Sequence, residues 1–186
     1  MRYTTVFLDR DGVINRDSPD YIKSRTEFHP LPGSIEAIVR LSRQGVRVIV
    51  ITNQSAVNRG MISLAELRAI HSELRVGVSD RGGRIDDILF CPHHPEEHCD
   101  CRKPKPGMIL EACKRHGIDA AQCVMVGDSA KDILAGRAAG CAAAVLVRTG
   151  NAENALRTLA ENDHRPDRIL ADLAATADWI LERNHG

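Results

Sequence analysis

Carboxylates recur in this chain directly after short apolar runs. Asp9 and Asp11 close the segment TVFLDRDG, Asp128 closes VMVGD, and Asp132 follows one helical turn later. Thr52-Asn53-Gln54-Ser55 closes a third apolar run, VRVIVI, and Arg102-Lys103-Pro104 lies beyond a fourth. Carboxylates gathered at one place repel one another unless a hard divalent cation lies among them. Asp oxygens suit Mg²⁺, which keeps several waters and binds through one or two carboxylates together with a phosphate. Thr52 and Lys103 are donors of the kind that a phosphate's oxygens accept. Together these residues read as a magnesium-dependent phosphoryl-transfer site. Taken singly, each motif has an ordinary use. Asp-x-Asp-Gly makes turns, Thr and Gly-Asp-Ser cap helices, and Lys-Pro occupies solvated loops. The reading rests on all four together, in this order, at strand ends.

A second constellation is Cys91-Pro-His93-His94-Pro-Glu-Glu-His98-Cys99-Asp-Cys101. Three thiolates and one imidazole form a closed tetrahedral Zn²⁺ site, and a closed site is structural. Three histidines could supply the nitrogen. His93 is preferred over His94 and His98 because Cys91-x-His93 mirrors the spacing of Cys99-x-Cys101. Such an ion would pin a loop that leads straight into Arg102 and Lys103. The remaining cysteines, Cys113, Cys123 and Cys141, sit singly in Ala-rich surroundings and read as small buried hydrophobes.

Elements of two periods must hold these residues in place. Apolar, β-branched runs predict strands over 4–8, 46–51, 85–90, 123–126 and 142–147. Helical spacing begins at Ile35 and stops at Gly45, and recurs through Leu64, Leu67, Ile70, Leu74 and Val78. Further helices open at Pro106-Gly107 and at Ser129, and two more cover 152–160 and 173–183, with a short apolar piece at 168–170 between them. The segment from Arg10 to Pro32 shows no sustained period and reads as a polar loop. Strands alternating with helices predict an α/β fold of three layers, a Rossmann-like parallel sheet with helices on both faces. Ligands of such sheets bind beyond the carboxyl ends of the strands. No interval among the motifs is long enough for a domain-size insertion, so 1–186 reads as a single domain without a large cap. Selection of a substrate then falls to three loops, at 16–25, 55–61 and 91–101.

Composition narrows the partners. The chain has 186 residues, 43% hydrophobic and 27% charged, with 25 basic and 25 acidic side chains and a formal net charge of zero. No global field draws it to nucleic acid or to an anionic membrane. Aromatics make up only 3%, too few for base-stacking platforms. No apolar run approaches the ~20 residues that span a bilayer. The beginning MRYTTVFLD lacks the apolar core of a secretory leader. A cytoplasmic monomer acting on a small molecule is the expectation.

The motifs FLDRDGVIN, ITNQS, RKPKPG and VGDSAKD resemble the four motifs of the haloacid dehalogenase (HAD) superfamily of phosphatases. Val13 stands where many members carry Thr, at a position whose side chain is not asked to react. The resemblance implies that Asp9 is the nucleophile and Asp11 the general acid and base. It further implies that Asp9, the Asp11 carbonyl and Asp128 hold Mg²⁺, and that Thr52 and Lys103 hold the phosphoryl oxygens. Asp132 would orient Lys103 or the metal's waters. The zinc loop with Cys-Arg-Lys-Pro narrows the likeness to heptose-bisphosphate phosphatases and the related histidinol-phosphate phosphatases. FHPLPGSIEAI and ITNQSAVNRG lie closer to the former, and the family pattern again selects His93. In that group a phosphorylated sugar is the substrate, Arg102 recognises its remote phosphate, and Asn53, Gln54 and Ser55 contact the phosphoryl group or sugar. Asp17 and Asp20 either line the mouth or belong to a solvated turn. A chain that kept the fold but lost catalysis, as a zinc-stabilised binding module, is the remaining alternative; the intact motif residues weigh against it.

Overall fold

The computed structural model describes residues 2–186. Its strands are β1 (Thr5–Leu8), β2 (Arg47–Asn53), β3 (Asp87–Cys91), β4 (Cys123–Gly127), β5 (Ala143–Val147) and β6 (Arg168–Leu170). They form one sheet in the order β3-β2-β1-β4-β5-β6, with every pairing parallel. The helices are α1 (Ser34–Arg43), α2 (Leu64–Ser79), α3 (Gly107–His116), α4 (Ala130–Ala138), α5 (Ala152–Glu161) and α6 (Leu173–His185).

Alternation along the strands divides the core. Val6, Leu8, Val48, Val50, Val124 and Val126 pack with Ile38 and Leu41 of α1, Leu67 and Leu74 of α2, and Leu173 and Ile180 of α6. Phe7, Ile49, Ile51 and Met125 point the other way, onto Met108, Ile109 and Ala112 of α3 and Ala135 of α4. Ala144 and Leu146 meet Ile133 of α4 and Ala155 and Leu159 of α5. Both faces are thus covered, and this is why β4 and β5 are buried at every residue and read as unbroken apolar runs.

The structure differs from the sequence expectation at several element ends and in what the piece at 168–170 is. β2 runs on to Asn53, so Thr52 and Asn53 belong to the strand itself. Pairing of β3 with β2 starts at Asp87 rather than Ile85; Asp86, just before it, already binds Val48 through its own N–H and through its carboxylate. The short piece at 168–170 is a sixth, edge strand. Asp167 docks it, accepting from the Ala144 N–H at 2.8 Å with its carboxylate and donating its own N–H to the Ala144 carbonyl at 2.8 Å. The loop from Arg10 to Pro32 is anchored by buried Val13, Ile14, Ile22 and Phe28, too widely spaced to register as a period.

Strand order reverses between β1 and β4, which opens a crevice at their carboxyl ends. The helix α6 lies far along the chain from the motifs yet packs its buried Leu173, Ala177 and Ile180 into the core beside α1, β5 and β6. Ile180→Ala is therefore expected to cost about 2–5 kcal/mol in urea unfolding, with the residues at the crevice left in place.

Candidate active site

The crevice gathers the motif residues. Asp9 prolongs β1 by donating its N–H to the Val126 carbonyl of β4 at 2.9 Å. Its Oδ1 accepts from the Arg10 N–H at 2.7 Å and lies 2.9 Å from Lys103 Nζ. Lys103 is 2% exposed; its ammonium also lies 2.6 Å from Asp132 Oδ1 and donates to the Ile51 carbonyl at 2.8 Å. The second oxygen of Asp132 accepts from the N–H and hydroxyl of Ser129, at 3.0 and 2.7 Å. Burial alone would push the Lys103 ammonium down, but Asp132 and Asp9 outweigh it and hold it above its usual value. A lysine so placed stays charged.

Burial drives the Asp9 carboxyl well above the ordinary carboxylate range; Lys103 opposes this, while Asp132, Asp128 and Asp11 add to it. Asp128 is pushed up to about 6, by burial first and by Asp132 next. Close approach of backbone explains the glycines. Gly12 has φ +79°, and a Cβ there would lie 2.2 Å from Asp128 Oδ2. A Cβ on Gly150 would come within 2.0 Å of the same oxygen, which accepts from the Asn151 N–H at 2.8 Å. On Gly127 it would meet the Asp132 Cβ at 2.1 Å.

Asp9, Asp128 and Asp132 can offer oxygens within 4.8 Å of one another. Lys103 and Ser129 engage both oxygens of Asp132, so the carboxylates free to take a cation are Asp9 and Asp128. An all-oxygen donor set of this charge fits a hard divalent ion.

Asp11 stands in a different setting. Arg10, fully buried, grips its carboxylate by Nε at 3.0 Å and by NH2 at 2.8 and 2.9 Å. Asn15 and Gln54 each add a side-chain donor at 2.8 Å. Gln54 also donates to the buried Thr52 hydroxyl at 3.0 Å. Asn53 exchanges two 3.1 Å bonds with the Lys103 backbone, tying the end of β2 to the loop after β3.

A cavity of about 340 Å³ is lined by Asp9, Asp11, Asp17, Thr52, Asn53, Gln54, Ser55, Arg102, Lys103, Asp128 and Asp132. Of the residues singled out in the sequence for this site, Asp20 alone lies off that lining. It is exposed in a turn where its N–H donates to Ser18 Oγ and its carbonyl accepts from Lys23. Tyr21, Ile22, Ser129, Lys131 and Asn151 line the cavity and were not foreseen. Tyr21 sits at φ 63° inside the aperiodic loop, where no pattern marks it. Arg10 and His71 were missed as well. The first reads as a solvated cation beside two acids, although it interrupts a strand end; the second falls on the apolar stripe of α2, between Ile70 and Leu74.

The cysteine cluster also closes. Cys91, His93, Cys99 and Cys101 place one ligand atom each within 4.8 Å of the others. The Cys101 sulfur is 3.3 Å from Cys91, 3.5 Å from Cys99 and 3.2 Å from His93 Nδ1. Bonds of ~2.3 Å to sulfur imply tetrahedral edges of roughly 3.8 Å, so four soft ligands already stand close to the separation that an ion would impose. His94 and His98 stand outside this group. Burial and the neighbouring cysteines push the Cys101 thiol up to about 12, and a cation would reverse that. Arg102 NH1 donates to the His93 carbonyl at 3.1 Å, which couples this loop to the cavity wall.

Residues 100–176 match the family described as HAD-hydrolase-like. Across 182 residues the chain is 47% identical to the D-glycero-beta-D-manno-heptose-1,7-bisphosphate 7-phosphatase of Pseudomonas aeruginosa, covering 98% of this chain and 100% of that protein. The enzyme of the same name from Pseudomonas putida is 48% identical, over 95% of this chain and 98% of its own. Among solved structures, the Bordetella bronchiseptica D,D-heptose 1,7-bisphosphate phosphatase, in complex with magnesium and phosphate, superposes with a TM-score of 0.90. It shares 41% identity and is covered to 99%, against 98% of this chain.

The packing of Gly12 on Asp128 sets a test of the cation site. Gly12→Ala is expected to displace Asp128 and weaken Mg²⁺ binding about tenfold or more, read by isothermal titration calorimetry against the unaltered protein.

Proposed function

The chain belongs to the D-glycero-β-D-manno-heptose-1,7-bisphosphate 7-phosphatases, HAD-like hydrolases, and from that premise we propose that it removes the 7-phosphate of the heptose bisphosphate with Mg²⁺ as its cofactor. The observation that carries this reading is Asp9, whose Oδ1 is fixed by Lys103 and the Arg10 N–H while Oδ2 is left to react. Asp9, Asp128 and the Asp11 carbonyl would hold Mg²⁺, which when bound neutralises phosphoryl oxygens and relieves the crowded carboxylates.

Asp9 attacks phosphorus, and an aspartyl-phosphate forms as the P–O bond to the sugar breaks. Asp11 gives a proton to the departing sugar oxygen and then takes one from the water that hydrolyses the aspartyl-phosphate. The Thr52 hydroxyl and the Lys103 ammonium donate to the transferring phosphoryl oxygens. Asp132 keeps Lys103 in place, and Asn53 and Gln54 act through the Lys103 backbone and Asp11 respectively. Ser55 and Asp17 border the sugar. The planar guanidinium of Arg102 suits the remote phosphate, whereas a cationic amine such as histidinol would call for a carboxylate there.

We read Cys91, His93, Cys99 and Cys101 as a Zn²⁺ site whose part is to hold the loop behind Arg102. One sheet with both faces covered by helices supports a single domain over 1–186, and a monomer belongs to the same reading. Among the described residues no helix is long and apolar enough to cross a membrane, and a reduced thiolate site suits the cytoplasm.

Two outcomes check these assignments. kcat/KM for the heptose 1,7-bisphosphate should exceed that for histidinol phosphate by tenfold or more, ~1.4 kcal/mol of transition-state binding. Asp9→Asn should abolish both activities, and Arg102→Ala should erode the preference about tenfold; equal turnover of the two substrates by the unaltered enzyme overturns the assignment. For the second site, Co²⁺ exchanged into the protein should show thiolate charge-transfer absorption that Cys101→Ser abolishes, with a lowered Tm. An unchanged spectrum in that variant refutes the ligand set.

A further inference from the structure

We propose that Arg10 is a positioning residue for the reaction, fixing the plane of the Asp11 carboxylate, and that His71 of α2 holds Arg10 for that purpose. The inference rests on the reading of Asp11 as general acid and base. Arg10 lies between the two reacting aspartates in sequence, yet its guanidinium is wholly buried and shares none of its recorded bonds with the Asp9 side chain. Nε and NH2 both meet Asp11, the latter reaching both carboxylate oxygens. A fork of this kind fixes the rotation of the carboxylate as well as its place, which a point charge cannot do.

The remaining nitrogen, NH1, lies 3.3 Å from His71 Nε2. A guanidinium has only donors, so Nε2 must accept and the imidazole proton sits on Nδ1. Burial and the neighbouring Arg10 hold the His71 ring neutral, with its titration lowered to about 3, and the ring of Phe90 packs against it at 5.8 Å. The backbone is fixed too, since the Arg10 carbonyl accepts from Ile14 and Asn15 at 2.8 and 3.1 Å. A chain of contacts thus runs from the α2 core through His71 and Arg10 to the acid that must meet the leaving oxygen. Burying an arginine in full calls for a complete set of partners, and the partner that reacts is Asp11.

Misaligning a general acid slows departure of a sugar alkoxide, which needs a proton, far more than departure of p-nitrophenolate, which does not. Arg10→Lys keeps the charge and loses the fork. Its kcat/KM for the heptose bisphosphate should fall about 10²-fold, while kcat/KM for p-nitrophenyl phosphate should fall less than about threefold. kcat/KM reports the first phosphoryl transfer and so isolates this step. His71→Phe, which fills the same volume without an acceptor, should give the same selective loss on a smaller scale, and it decides the matter if Arg10→Lys lacks a cooperative unfolding transition. Equal losses on both substrates, or none on either, overturn the proposal. Asp11→Asn supplies the control. If it shows no selectivity for the alkoxide, the acid role of Asp11 is at fault; if it is selective and Arg10→Lys is not, the positioning role of Arg10 is at fault.

Discussion

The buried ammonium of Lys103 is the constraint on which the rest of the site depends. A lysine this enclosed is stable only if its charge is met on several sides, and it is met by Asp9, Asp132 and the Ile51 carbonyl. Those three partners come from the ends of β1, α4 and β2, and Lys103 itself comes from the loop after β3. Only a sheet in which β1 lies between β2 and β4 brings all four to one point. The reciprocal pair between Asn53 and the Lys103 backbone then fixes the approach of the loop. Removing any of these supports would leave a charge in the interior without its complement, so fold and site are held by the same contacts.

The metal loop belongs to that logic. Between β3 and Lys103 the chain has only a single 3-10 turn, Pro95–Glu97, to stiffen it. Cys91, at the end of β3, and Cys99 and Cys101, just before Arg102, bracket this stretch. A closed ligand set ties entry to exit, and the bond from Arg102 to the His93 carbonyl passes the restraint to the cavity wall. Part of the cavity wall is loop, and a loop can select a substrate only if it is held still.

Legibility from sequence followed the strength of each local signal. Strands β1, β2, β4 and β5 are covered on both faces, so their apolar runs mark them, and Asp9 and Asp128 stand out as the first polar residues after β1 and β4. β6 was legible only as an apolar scrap, because an edge strand of three residues carries no period and is docked by the side chain of Asp167 rather than by its own pattern. Asp17 and Asp20 could not be told apart in a loop without periodicity; one reaches the cavity and the other turns to solvent. Arg10 was hidden for a different reason. Charge ordinarily predicts exposure, and nothing local to DRDG signals that a histidine sixty-one residues away completes its burial.

The two aspartates of that motif sit two residues apart and share a strand end, yet they must do opposite things. Two like carboxylates so close repel one another, and what gives them different settings here is the allotment of cations. Lys103 lies against Asp9 but is shared with Asp132, so Asp9 is only partly neutralised and keeps an oxygen free of hydrogen bonds. Arg10 and the amides of Asn15 and Gln54 converge on Asp11. The left-handed turn at Gly12 makes this possible, because it turns the chain back after Asp11 and lets Asp128 pack where any side chain would collide. An attacking group needs a free lone pair and a nearby cation, whereas a proton carrier needs a fixed direction. The turn supplies Arg10 to Asp11, and the loop after β3 supplies Lys103 to Asp9, so each carboxylate has its own positive partner.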